Sequence, residues 1–244
     1  MSSTELTIVL AAIVVGAIVK AVTGMGLPII AIPIAALFVD VQDAVVTIAL
    51  ANMVANGVLA TKERSHAGDT RDLPILAGFG VIGAIIGTIA FVSLPEQPLL
   101  IVLVIAILAY VVSFFAKPDL RLSASRSRRY APGVGVVIGA FQGAIGISGP
   151  IVASWIHSYR LPRGAHILSV TSLFLITGVT QFTIFVITGE LEGRVTASLL
   201  ACIPVLLSIP VGTWLRSRVS GRGFDLAVVG VLLASVVALI AQIL

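Results

Sequence analysis

The chain has 244 residues, of which 58% are hydrophobic and 11% charged, with a mean hydropathy of +1.15. Soluble domains carry about 25% charged residues. These figures therefore exclude a water-soluble globule and indicate a polytopic α-helical membrane protein, whose apolar runs reach the roughly 20 residues that span hydrocarbon. The formal charge of +4 does not mark a nucleic-acid binder, because the basic residues sit in short loops between apolar runs, the pattern of positive-inside topology.

In chain order, Met1-Ser2-Ser3-Thr4-Glu5 lacks the positive n-region of a cleavable signal peptide, and Ser2 and Glu5 have the spacing of a capping box. Residues 5–22 are expected to form an apolar helix that stops at Thr23-Gly24-Met25-Gly26-Leu27-Pro28. Glycine costs a helix about 1 kcal/mol and proline about 3 kcal/mol, so this cluster breaks it. A short apolar helix over 28–39 completes a broken segment, 5–39. Spans at 43–61, 72–93 and 97–116 then finish a first repeat, 1–116. Residues 117–130, with Lys117, Arg121, Arg126, Arg128 and Arg129, are expected to be a basic cytoplasmic connector.

The second repeat, 131–244, follows the same plan. Its broken segment is 131–158, with the break at Gly146–Pro150, and its spans are 165–188, 195–215 and 224–243. Four landmarks recur in order: Gly16-Ala17 with Gly139-Ala140, Pro28 with Pro150, Gly68-Asp69 with Gly189-Glu190, and Gly87-Thr88 with Gly212-Thr213. Placing the basic loops in the cytoplasm puts both ends of 131–158 inside and both ends of 5–39 outside. Three full spans per half then invert one half relative to the other. The expected fold is all-α, two inverted repeats, each a broken, re-entrant V-shaped helix plus three transmembrane helices. If 131–158 instead crosses as one kinked helix, Arg160 and Arg163 lie outside.

The chain resembles the TauE/SafE sulfite exporter family of membrane permeases, also called the 4-toluene sulfonate uptake permease family. The resemblance is carried by Gly24-Met25-Gly26-Leu27-Pro28, Ala44-x-x-Thr47, Gly68-Asp69-x-x-Asp72, Gly83-x-x-x-Gly87 and Gly146-Ile147-Ser148-Gly149-Pro150. It spans nearly the whole chain and implies transport of small sulfur-containing or organic anions. Two departures stand out. The family's first motif is often richer in glycine, and many members carry an arginine near the position of His166.

Paired broken helices are the sequence pointer to a transporter's substrate site. Helix starts at the breaks offer free N–H groups and a partial positive charge, so backbone donors are expected at Gly26, Leu27, Ser148 and Gly149. Thr23 and Ser148 add hydroxyls, and Gly24 permits close approach. Lys20, about 15 residues into an apolar run, reads as countercharge for an anion, against a snorkelling lysine. Gln142 occupies the matching place before the second break. Asn52 and Asn56, one turn apart, either line the site or join helices, and the same alternatives hold for Gln181 and Thr177. His157 and His166 are expected at the headgroups, and Trp155, Tyr159 and Trp214 in an aromatic belt.

No HExxH, GxSxG, Walker loop or Cys/His cluster is present, so neither an enzyme nor a metal or other cofactor is expected. The expected function is secondary transport, in the export direction, of a small organic or sulfur-containing anion such as sulfite or a sulfonate like sulfoacetate. The alternatives are an anion channel or a non-transporting membrane scaffold. The expected setting is the bacterial inner membrane, with the lipid bilayer as partner, no nucleic acid, and a homodimer possible through Gly83-x-x-x-Gly87, a pattern that equally packs helices within one chain.

Overall fold

The computed structural model describes residues 2–23, 26–116, 121–215 and 222–243; among them it contains ten α-helices, one 3-10 turn and no strand. α1 (Ser3–Thr23) opens on the expected capping box, with Ser2 N–H donating to Glu5 Oε2 at 2.7 Å and Glu5 N–H to Ser2 Oγ at 3.3 Å. α2 (Leu27–Ala35) follows Gly26, whose φ of 134° suits only glycine, and carries Pro28 in its first turn, where no N–H is needed. Next come α3 (Val41–Lys62), a 3-10 turn (Arg64–Asp69), α4 (Leu73–Ser93) and α5 (Glu96–Ala116). α6 (Ala124–Ile145) ends on Gly146 in the left-handed region, and the Gly146 N–H caps Gln142 O at 2.8 Å. α7 (Gly149–His157), α8 (Arg163–Thr188), α9 (Val195–Leu215) and α10 (Arg222–Ile243) complete the chain.

Six of these helices (α1, α3, α4, α5, α8 and α10) are long and apolar enough to cross a membrane. Their outer faces expose Ile86, Val112, Ile187 and Val237, side chains that suit hydrocarbon rather than water. The chain is a multi-pass membrane protein. Two boundaries differ from expectation. The short helix after the first break stops at Ala35 and continues as turns to Val39. The connector is helical from Ala124 onward: alanine and arginine are good helix formers, and Ser127 is drawn in by Asp72, whose Oδ2 accepts its hydroxyl at 2.6 Å.

Glycine sets the closest packing. α4 and α6 meet through Gly80, Gly83 and Gly87 on one side and Gly135, Gly139 and Gly143 on the other. A Cβ at Gly83 would run into the Val136 carbonyl, one at Gly139 into the Gly80 carbonyl, and one at Gly143 into the Ala84 carbonyl. The Gly83-x-x-x-Gly87 face is therefore covered by α6 of the same chain and is not open to a second copy. Elsewhere α9 packs on α1, α3 on α8, α5 on α10, α4 on α8, α9 on α3, α2 on α10 and α7 on α5. Exchanging α1–α5 for α6–α10 in order turns each of these pairings, and α4 on α6, into another of the set or into itself.

Charged clusters tie the two ends of the bundle. At the basic end Asp72 Oδ2 also accepts from Tyr159 Oη at 3.3 Å, and the Arg71 guanidinium donates to Ser127 Oγ at 2.7 Å and lies 4.7 Å from the Tyr159 ring centre. Burial and the Asp72 carboxylate push the Tyr159 phenol above its ordinary pKa. Tyr159 is thus buried in a polar cluster, with Trp155 Nε1 donating to its oxygen at 2.6 Å, rather than standing in a lipid-facing belt. Trp214's side chain lies outside the described residues. At the acidic end Arg194 binds Asp43 Oδ1 at 2.6 Å and Glu190 Oε2 at 3.3 Å.

Candidate functional site

A cavity lies where the α1–α2 break meets the α6–α7 break. Of the residues expected from sequence, Lys20, Gly26, Asn52, Gln142, Ser148 and Gly149 line it. They are far apart in sequence and are gathered by the packing of α3 on α2 and α8 and of α6 and α7 on α8.

Lys20 is 2% exposed. Its Nζ donates to Asn56 Oδ1 at 2.8 Å and to Asn52 Oδ1 at 3.4 Å, and it sits 5.5 Å from the centre of the Phe174 ring. Among the described residues no carboxylate lies within ion-pairing distance of it. A buried ammonium is costly, and here only amide dipoles and an aromatic face offset that cost. Asn56 Nδ2 donates back to Asn52 O at 2.9 Å and Oδ1 at 3.2 Å, which fixes both amides one turn apart on α3.

The second break supplies neutral groups. Gln142, 2% exposed, accepts at Oε1 the hydroxyl of Ser148 at 3.2 Å. The amide oxygens of Asn52 and Gln142 are thus spent on the protein's own donors. Asn52 Nδ2 and Gln142 Nε2 donate to no acceptor among the described residues, and both residues face the cavity. One N–H of Lys20 is spare as well. α2 and α7 both begin at the cavity wall, and the first N–H groups of a helix have no partner inside it. The site presents donors and positive charge, which is the complement of an oxyanion.

The other expected residues fall elsewhere. Asn56 holds Lys20 but does not line the cavity. The Leu27 side chain is fully buried, and its carbonyl lies 2.6 Å from where a Cβ of Gly16 would stand, so it belongs to the α1–α2 contact. Gln181 donates to Gly143 O at 3.1 Å, joining α8 to α6, and Thr177 donates to Leu173 O at 2.7 Å within its own helix. The Thr23 side chain and Gly24 lie outside the described residues.

Five lining residues, Val19, Ile29, Tyr110, Phe174 and Val228, carried no mark in the sequence reading. Phe174 had a usable signal. It precedes Thr177 by three residues and Gln181 by seven, so extending that α8 face by one turn reaches it. Tyr110 and Val228 are an aromatic and a valine in apolar runs, indistinguishable there from lipid-facing side chains.

The sequence model of the family described as Sulfite exporter TauE/SafE matches residues 8–239, nearly the whole chain. No curated protein and no solved structure matches it.

Proposed function

The chain belongs to the TauE/SafE family of sulfite exporters and is accordingly a membrane transporter, not an enzyme; from that premise we propose that it exports small organic or sulfur-containing anions by alternating access. In this reading the anion binds in the cavity between the two breaks, held by Lys20, by the spare amide donors of Asn52 and Gln142, by Ser148, and by the helix starts at Gly26 and Gly149. The observation that carries it is Lys20: a buried cation without a carboxylate partner, beside amides whose donor ends face the cavity.

Two further observations support the mechanism. The helix pairings that interchange between the halves are those expected of an inverted repeat, the architecture in which one half rocks against the other around a fixed site. The ten acidic residues among the described residues fall in loops, in the 3-10 turn or in first helical turns, so no mid-span carboxylate relay for proton coupling is found there. An inside-negative potential of 100 mV drives a monovalent anion outward by about 2.3 kcal/mol, roughly fiftyfold, without any co-transported ion. The basic loops face the cytoplasm in this account, and the membrane is the bacterial inner membrane.

Thermal unfolding of the purified protein tests the site. A bound anion at 100 times its dissociation constant stabilises the native state by about 2.7 kcal/mol. A shift with at least one sulfonate, carboxylate or sulfite, lost in Lys20→Met, is the expected result. An undiminished shift in Lys20→Met contradicts the placement. Saturable flux separates the carrier from a channel.

A further inference from the structure

Asn56 is wholly buried and stands outside the cavity lining, one helical turn from Asn52 on α3. Its Oδ1 takes the Lys20 ammonium at 2.8 Å, and its Nδ2 donates to Asn52 O at 2.9 Å and Asn52 Oδ1 at 3.2 Å. An ammonium only donates, so the Asn56 amide has one possible orientation, oxygen end to Lys20 and nitrogen end to Asn52. Asn52 is turned in consequence. Its Oδ1 meets two donors, Lys20 Nζ at 3.4 Å and Asn56 Nδ2, which leaves Nδ2 as the end free for the cavity.

The charge at position 56 matters as much as the hydrogen bonds. Aspartate has the shape of asparagine, and a carboxylate there would give the ammonium the partner that buried cations ordinarily have. For stability alone the acid is the better residue. It would also neutralise Lys20, the one charged side chain lining the cavity among the described residues. Lacking an N–H, it would draw Asn52 Nδ2 toward itself and away from the cavity. The amide seats the ammonium and leaves its charge unspent.

We propose that Asn56 is the positioning residue of the anion site: its neutral amide keeps the Lys20 charge available to the anion and turns the donor end of Asn52 into the cavity. The proposal rests on the reading of the cavity as the anion site and extends it to a side chain that does not line the cavity.

The test uses ethanesulfonate, sulfite and propionate as probes, titrated by calorimetry into the purified full-length protein, with the thermal midpoint of the anion-free protein measured alongside. In Asn56→Asp the midpoint is expected to hold or rise, because the buried cation gains a partner, while affinity for the probe that the parent binds falls about 100-fold. A residue that merely supports the fold would lower both together. Asn56→Leu, which removes acceptor and donor at once, is expected to weaken binding about tenfold in the parent and by a much smaller factor in Lys20→Met, where the ammonium it acts through is gone. Parent-like affinity in Asn56→Asp, with binding lost in Lys20→Met, overturns the proposal and leaves the site standing. Aggregation of Asn56→Asp, or a midpoint that drops together with affinity, assigns Asn56 to the fold and overturns it as well. Equal losses from Asn56→Leu in the two backgrounds do the same. Binding of none of the probes by the parent overturns the proposal and the anion site together.

Discussion

The two breaks differ in what surrounds them. α2 is apolar from end to end and nearly enclosed, with Leu27, Ala31 and Ala35 wholly out of contact with the surroundings. α7 buries only Pro150, Val152 and Ile156, leaving Ser154 and Trp155 half-buried and His157 exposed. α1 and α2 lie extensively against each other, since Gly16 lets the Leu27 carbonyl approach. α6 and α7 hardly touch: α6 is engaged by the glycines of α4, and α7 leans on α5 and α8. The chemistry divides in the same way. The first break brings the cation and the second brings neutral donors. A charge out of water needs a rigid, dipole-lined seat, which a well-packed element supplies, and a neutral amide tolerates a looser one. The alternating access proposed above would add a reason for the contrast, because in it one half moves while the other holds. The less enclosed α7 is the element with room to move.

That contrast can be tested from its strongest consequence downward. Gly139→Leu forces a side chain into the Gly80 carbonyl. It is expected to abolish monodisperse expression or to cost about 3 kcal/mol or more, whereas Gly149→Ala, with nothing within 4 Å of the new Cβ, stays within about 0.5 kcal/mol of the parent. Size-exclusion profiles after stepwise heating read both. Lys20→Met comes next. Anion affinity is expected to fall about 100-fold by calorimetry, given that charged hydrogen bonds contribute about 1.5–3 kcal/mol, while the thermal midpoint of the empty protein holds or rises because an unpaired buried charge has gone. Gln142→Leu removes a neutral donor and should weaken binding about tenfold, so a loss matching that of Lys20→Met would erase the distinction between the breaks. Gln181→Leu cuts the bond to Gly143 O and is expected to cost about 1 kcal/mol of stability, with affinity unchanged. A clear loss of affinity there would bring α8's lower face into the site.

Much of this architecture was legible in advance, for physical reasons that also mark where legibility ends. Helix ends were readable because Gly26, Pro28, Gly146 and Pro150 act through their own backbone, needing no neighbour. Lys20 was readable because a charge in an apolar run needs a reason wherever it lands. Partners were not readable. Gly83-x-x-x-Gly87 announces close approach without saying which helix approaches, and the answer, α6, depends on tertiary packing. Gln181 and Asn52 are both amides in apolar helices, yet one serves a helix contact and the other a cavity, and only the position of Gly143 and of Lys20 separates them. The basic run before Tyr130 read as connector because charge density outweighed helix propensity, and the Ser127–Asp72 bond that helps order it spans 55 positions.

The central claim is that an anion crosses by way of the Lys20 cavity, and electrogenic flux in proteoliposomes tests it most directly. Vesicles holding the purified protein and loaded with ethanesulfonate would be given an inside-negative potassium diffusion potential, with release of the anion followed over time. The account predicts release that grows with the imposed potential, saturates with anion concentration, and falls to the protein-free rate in Lys20→Met. Release at the parent rate in a well-folded Lys20→Met protein would contradict it.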